Sequence, residues 1–307
     1  MPSSRIIADG LQFPEGPVID RDGSLLVVEI ERKTVTRIAA GGGKSIVAEL
    51  PGGPNGMAWG PDGALTICNN GGFLFQKAAD GGNRVKAGVP EGYAGGWIER
   101  LDPGSGERRV LYTRCGEHNL VGPNDLVFDA QGGFYFTDYG KFYPRYRVNG
   151  GLYYAKADGS SIVEVAYPLI TPNGVGLSPD GRTVYVAETE TGRLWAFDLE
   201  APGKAKRHPV FAPHGGRILL GLGGYQRFDS LAVEESGNIC IATIVDGCIS
   251  VVSPEGALIE QVPTGDIVTT NICFGGADRK TAYITLSAGG RVIEMPWPRP
   301  GLALAYG

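Results

Sequence analysis

Six residues that offer a side-chain oxygen recur along this 307-residue chain, each at the head of the same short pattern. They are Glu15 (EGPVIDRDGSLLVVEI), Asn55 (NGMAWGPDGALTICNN), Asn124 (NDLVFDAQGGFYFTDY), Asn173 (NGVGLSPDGRTVYVAE), Asp229 (DSLAVEESGNICIATI) and Asn271 (NICFGGADRKTAYITL). Gathered at one point, such a set would be costly in a dry interior, because buried carboxylates and amides demand hydrogen bonds, opposite charge or a metal. A hard divalent cation meets that demand, and donors that are all oxygen select calcium, magnesium or manganese over a thiolate-held metal. The competing explanation is that Asn and Asp head these strands only because they tolerate turn geometry. It stays open for Asn55 and Asn271. Glu15 fits it poorly, since Glu has little turn preference and here stands in Pro14-Glu15-Gly16-Pro17.

The elements that would gather these residues follow from the pattern itself. Each copy runs from a short apolar strand through an Asp-Gly or similar turn into a β-branched or aromatic strand, which predicts a hairpin. Further strands are expected at 34–38 and 45–48 after the first hairpin and at 194–198 and 208–211 after the fourth, giving four strands per unit. The starts mostly follow the ~40 to 50 residue period of a four-stranded propeller blade, with one large insertion in the second unit. After Asn271 only three strands fit, the last near 291–295, so the strand at 5–8 is expected to complete blade six and close the ring. No stretch keeps a helical apolar period free of Gly or Pro. The predicted fold is an all-β, six-bladed propeller forming a single domain over 1–307; a β-sandwich does not account for six like units.

Composition narrows the function classes. Lys and Arg number 28 against 33 Asp and Glu, a net charge of −5, and basic residues do not cluster, which excludes a nucleic-acid footprint. Residues 1–9 hold one Arg and the short pair Ile6-Ile7, not the apolar core of an export signal, and no apolar run reaches the ~20 residues of a membrane span. Five cysteines (Cys68, Cys115, Cys240, Cys248, Cys273), several within apolar runs, read as small hydrophobes in a reducing, cytoplasmic setting rather than a disulfide framework. The expected partner is a small molecule, with no nucleic acid and no membrane; the oligomeric state is not encoded in any visible motif.

In a propeller the first strand of each blade lines the channel, so the six opening side chains should converge near one end of the axis. Links between second and third strands, and between blades, then lie over that end. The three longest, 69–96, 138–150 and roughly 212–228, all fall there and suit a lid or substrate wall. Their aromatics (Phe73, Tyr93, Trp97, Tyr139, Phe142, Tyr143, Tyr225) supply material for an apolar pocket or for plain packing.

These residues bring a family into view. Phe13-Pro14-Glu15-Gly16-Pro17, Pro123-Asn124-Asp125, Pro172-Asn173-Gly174 and Phe228-Asp229-Ser230 resemble the motifs of the gluconolactonase, regucalcin and luciferin-regenerating enzyme family. The run from Gly132 to Asp138 (GGFYFTD) resembles its drug-responsive lactonase branch, and the likeness covers essentially the whole chain. The resemblance implies lactone hydrolysis at one divalent cation, calcium first, with magnesium, manganese, zinc or iron(II) as alternatives. By position it implies Glu15, Asn173 and Asp229 as direct ligands, with Asn124 contacting substrate or metal. Sugar-lactone members carry an Arg two places before that Asn, where this chain has Gly122; with the aromatic loops, this points to a less polar lactone.

The chemistry expected is hydrolysis in which the cation polarises the carbonyl and activates water, Asp229 accepts the proton and Asn124 orients the carbonyl. His118 is the remaining candidate for proton transfer, weighed against a surface-loop place; His208 and His214 are read as surface-loop residues. There is no Gly-x-Ser-x-Gly elbow and no zinc spacing of Cys and His. Two other functions stand beside the lactonase: a phosphotriesterase on the same ligand set, and a non-enzymatic binding propeller with a structural metal.

Overall fold

The structure is a computed structural model that describes residues 4–208 and 212–307. Six antiparallel sheets stand around an axis, each a blade whose innermost strand begins at or just before one of the six opening residues. These inner strands are Pro14–Ile19, Pro54–Trp59, Pro123–Phe128, Pro172–Leu177, Arg227–Val233 and Thr269–Gly275. Each packs on the inner strand of the next blade, and the sixth returns to the first. Arg5–Ala8 is the outermost strand of the last sheet, with Arg5 opposite Glu294, so the chain's first strand seals the ring as expected.

The hairpins form where Asp and Gly recur. Asp22, Asp62, Asp129 and Asp180 each accept a backbone N–H two residues on, and the glycines of the first five turns, from Gly23 to Gly237, hold positive φ. The sixth turn lacks the glycine and places Arg279 at φ 54° instead. Second strands read as continuous apolar runs, such as Leu25 to Val28 and Phe134 to Phe136, because neighbouring blades cover both of their faces.

Blades two and four depart from the simple plan. In blade two the link after Leu65–Asn69 carries its own hairpin, Leu74–Lys77 with Asn83–Lys86, before the third strand Trp97–Leu101. In blade four the expected strand at 208–211 ends in Pro209, Val210 and Phe211, which lie outside the described residues. There the third strand, Arg193–Ala201, is paired by two short pieces, Lys204–Ala205 and Arg217–Gly221. The C-terminal tail crosses the end of the inner strands away from the opening residues. Gly301 lies on Phe274, the Leu302 N–H donates to Val233, and Tyr306 packs edge-on against Phe128 at 5.6 Å. Among the described residues no helix is long and apolar enough to cross a membrane, and all five cysteines are free thiols.

Candidate metal centre

A backbone irregularity places each opening residue. In all six blades the pairing of first and second strands slips at or beside that residue, as between Glu15 and Val18, Pro123 and Leu126, or Phe228 and Leu231. A bulge of this kind turns a side chain out of the regular alternation and along the channel. Crowding explains the glycine that often follows. A Cβ on Gly16, which holds φ +49°, would meet the Asn55 carbonyl oxygen at 2.4 Å, and one on Gly56 would meet that of Asn124 at 2.6 Å.

A second set of side chains anchors the segment that leads into each inner strand. Glu29 Oε2 accepts the Gln12 N–H at 2.7 Å, Asn69 Oδ1 that of Gly53 at 2.9 Å and Glu188 Oε1 that of Ile170 at 2.6 Å. Asp138 takes three: Val121 and Gly122 at 2.7 Å and Gly140 at 2.9 Å. All four stand at the end of a second strand, and their targets, Gly140 apart, lie two or three residues before Glu15, Asn55, Asn124 and Asn173. The second strand of one blade thus fixes the entrance of its own first strand.

Glu15, Asn55, Asn124, Asn173 and Asp229 line one cavity of 300 Å³, with Phe13, Phe73, Tyr139, Phe142, Ile244 and Val268 among its apolar walls. Convergence is therefore found for five of the six. Asn271 stands behind Glu15, donating from Nδ2 to Glu15 Oε2 at 2.8 Å, while its own Oδ1 accepts the Ile272 N–H. Asn173 is held from both sides: its Nδ2 donates to Thr189 Oγ1 at 3.1 Å and its Oδ1 accepts from Ser230 Oγ at 3.2 Å. The Asn124 Oδ1 is buried and has no hydrogen-bond partner among the described residues.

Burial dominates the electrostatics. It pushes the Glu15 carboxyl up to about 7, against hydrogen bonds from Asn271 and Gly16 that act the other way. Asp229 is raised well above the carboxylate range by burial and by the Glu15 charge, while Arg227 opposes the shift. Two desolvated acids and an orphaned amide oxygen in one cavity suit a bound cation. Among the described residues no three His, Cys, Asp or Glu side chains cluster for a metal, so neutral amide oxygens would complete any such set here.

Several residues of this region escaped the sequence reading. Asp125 occupies a position held by glycine in three other repeats; it is buried, and burial and the Glu15 charge bring its carboxyl to about 7. An acid in a glycine slot was the available signal. Arg84, Thr189 and Arg227 also line the cavity, and nothing in their spacing marks them.

The aromatic loops divide. Phe73, Tyr139 and Phe142 face the cavity, whereas Tyr143 stacks on Tyr146, Trp97 donates to Glu99, and Tyr225 is 73% exposed. Behind the wall the buried Lys141 donates from Nζ to the Gly72 carbonyl at 2.8 Å and lies 4.0 Å from the Phe73 ring centre. His118 is exposed, in keeping with the surface-loop alternative, and His208 is partly buried against Asp198. His214 is a correction: it is buried between Trp195 and Phe197, since the start of the 212–228 link packs on these two rings of the strand Arg193–Ala201.

Comparison with known proteins gives a consistent result. The family described as SMP-30/Gluconolactonase/LRE-like region matches residues 13–288. Lactonase drp35 of Staphylococcus saprophyticus is 29% identical over 265 residues, spanning 85% of this chain and 72% of that protein. The drp35 lactonase of Staphylococcus haemolyticus is 28% identical over the same shares. Among solved structures, a gluconolactonase of Xanthomonas campestris aligns with a TM-score of 0.74 at 21% identity, covering 96% of this chain and 89% of that one. Regucalcin of Agrobacterium tumefaciens, described as a calcium-binding protein, aligns at 0.68 and 17%, covering 99% and 98%. At these identities the structural matches bear on the fold alone.

Proposed function

Because this chain belongs to the SMP-30/gluconolactonase/LRE-like family, we propose that it is a metal-dependent hydrolase, acting as one propeller domain, that opens a lactone by attack of water. The observation that carries this reading is the shared cavity of Glu15, Asn173, Asp229 and Asn124, two desolvated acids beside an amide oxygen without a partner. The lactonase relatives support the substrate class.

Glu15, Asn173 and Asp229 would hold the cation directly, with Asn124 beside them. A divalent cation, calcium before magnesium, manganese, zinc or iron(II), supplies a Lewis acid for the carbonyl and lowers the pKa of water. Asn124 offers an amide N–H toward the lactone carbonyl, which the pinned entrance at Gly122 keeps in place. Asp229 accepts the proton of the attacking water as oxygen adds to the carbonyl carbon. The ring C–O bond then breaks, and the leaving alkoxide takes up a proton to give the open hydroxy acid. Phe13, Phe73, Tyr139 and Phe142 exclude bulk water and contact the body of the substrate.

A polyhydroxylated sugar lactone fits this site poorly. A Cβ at Gly122 would lie 2.6 Å from the Gly140 carbonyl oxygen, so no arginine can stand there to bind sugar hydroxyls without moving the backbone. A lactone whose ring body is apolar suits the walls better.

The test is turnover of a panel of γ- and δ-lactones, aryl esters and phosphotriesters by protein with and without chelator, paired with Asp229→Ala. Lactone turnover that disappears with chelator and in the variant, while the β-type circular dichroism spectrum persists, is the expected result. Unchanged turnover in Asp229→Ala defeats the site assignment. Preference for phosphotriesters, or no turnover at all, turns the reading to the phosphotriesterase or to a binding propeller.

A further inference from the structure

We propose that the substrate carries an anionic group, a carboxylate, beside its lactone ring, and that Arg227 binds it; the proposal rests on the lactonase reading above. Arg227 begins the inner strand of blade five, two residues before Asp229, and its side chain lines the cavity. Among the described residues its one side-chain hydrogen-bond partner is Glu190, reached through Nη2, while its Nε is buried with no partner there. Guanidinium presents five N–H donors in a planar fork that matches a carboxylate two bonds at a time. One carboxylate engaged at Nη2 alone leaves that fork underused.

Charge counting points the same way. Glu190 serves two arginines, since Arg147 Nη2 lies 3.9 Å from its Oε2. Two guanidinium groups around one carboxylate leave a positive charge over at the cavity rim once Glu15 and Asp229, the second of which Arg227 also acts on, are matched by the divalent cation they would hold. The cavity's other arginine, Arg84, differs: its Nη2 is bound to Asp80 at 2.7 Å and its Nη1 to the Asn83 carbonyl at 2.8 Å. Arg227 is therefore the cation with donors to spare.

The remaining walls define the rest of the molecule. Apart from the oxygen-donor ring, Thr189 and the two arginines they are apolar and aromatic, and 300 Å³ is roughly twice the ~150 Å³ of a cavity that takes up benzene. A ring with a short acidic arm fits this space, its apolar body against Phe73, Tyr139 and Ile244. The product of opening such a lactone is a hydroxy dicarboxylate.

The experiment compares 5-oxotetrahydrofuran-2-carboxylate with its neutral carboxamide in wild type, Arg227→Met and Arg227→Lys. Wild type is expected to favour the acid in kcat/KM, and Arg227→Met to lower the acid-to-amide ratio by roughly ten- to hundredfold, the worth of a charge-assisted hydrogen bond pair. Arg227→Lys should restore part of the ratio. A wild-type ratio of one or less, or a ratio unmoved in Arg227→Met, overturns the proposal and leaves Arg227 as a strut between blades four and five. Calorimetric titration with 2-hydroxyglutarate keeps the two readings separate. Binding that Arg227→Met abolishes supports the anion site even if neither lactone is turned over, an outcome that would count against the lactonase reading only. No binding to wild type overturns the anion site.

Discussion

Replacing Glu15 by Gln should stabilise the cation-free protein at pH 8 and do nothing for it near pH 4. Burial lifts the Glu15 carboxyl from 4.5 to about 7, so between these values the native state holds a proton that the unfolded chain has lost. Stability falls with pH wherever the native state binds more protons, and the loss is complete once pH exceeds the native value. A shift of this size, at 1.36 kcal/mol per unit, amounts to about 3 kcal/mol. Gln keeps an oxygen for the Asn271 amide and the Gly16 N–H, the two groups that now donate to Oε2, and carries no charge to desolvate. It also removes the charge that raises Asp229. The assay is chemical denaturation followed by tryptophan fluorescence, in chelator, at pH 4 and pH 8 for both proteins. Wild type should lose stability across this window and Glu15→Gln should lose less, the remainder coming from Asp229 and Asp125, whose burial still raises them when the Glu15 charge is gone. A flat wild-type profile, or a variant equally destabilised at both ends, would show that Glu15 is neither desolvated nor close to Asp229.

Two further outcomes follow from the residues around the site. Asp138→Ala removes the acceptor of three backbone N–H groups, two of which lead into Asn124; buried donors left unpaired cost about 1 to 3 kcal/mol each. The midpoint of denaturation should drop by several kcal/mol equivalents, with kcat reduced more than KM is raised. Lys141 is buried and held down to about 7 by desolvation against the opposing pull of Asp138. The native state then binds fewer protons than the unfolded chain from about 7 up to 10.5, so wild-type stability gains with pH across that interval. Lys141→Met should be more stable than wild type at pH 6, the advantage shrinking toward pH 10, and its KM should rise because Phe73 and the Gly72 backbone lose their anchor; melting curves and steady-state kinetics at both pH values check this.

The propeller was legible because its instructions are local and repeated. An oxygen-bearing residue, a short apolar run and a turn rich in Asp and Gly recur often enough to give the blade count, and the missing fourth strand after Asn271 revealed the closure by Arg5–Ala8. The shared cavity of Glu15, Asn55, Asn124, Asn173 and Asp229 followed from the same phase. Asn271 did not, because a neighbouring acid captured its amide before it could face the cavity. The anchors Glu29, Asn69, Asp138 and Glu188 stand at nearly the same place in their copies, 14 or 15 residues after the opening residue, yet only the folded backbone shows what they bind, so the sequence reading gave them no role. Arg227 and Glu190 are distant in sequence, and only the meeting of blades four and five pairs them. His214 shows the same limit from the other side: a lone polar residue in a long link gives no sign of the two rings that enclose it.

The tail from Gly301 to Tyr306 works as a strap. Touching Phe274, Val233 and Phe128 in turn, it links blades six, five and three on the face opposite the opening residues, so the last residues of the chain, like the first strand, hold blades together that are far apart in sequence.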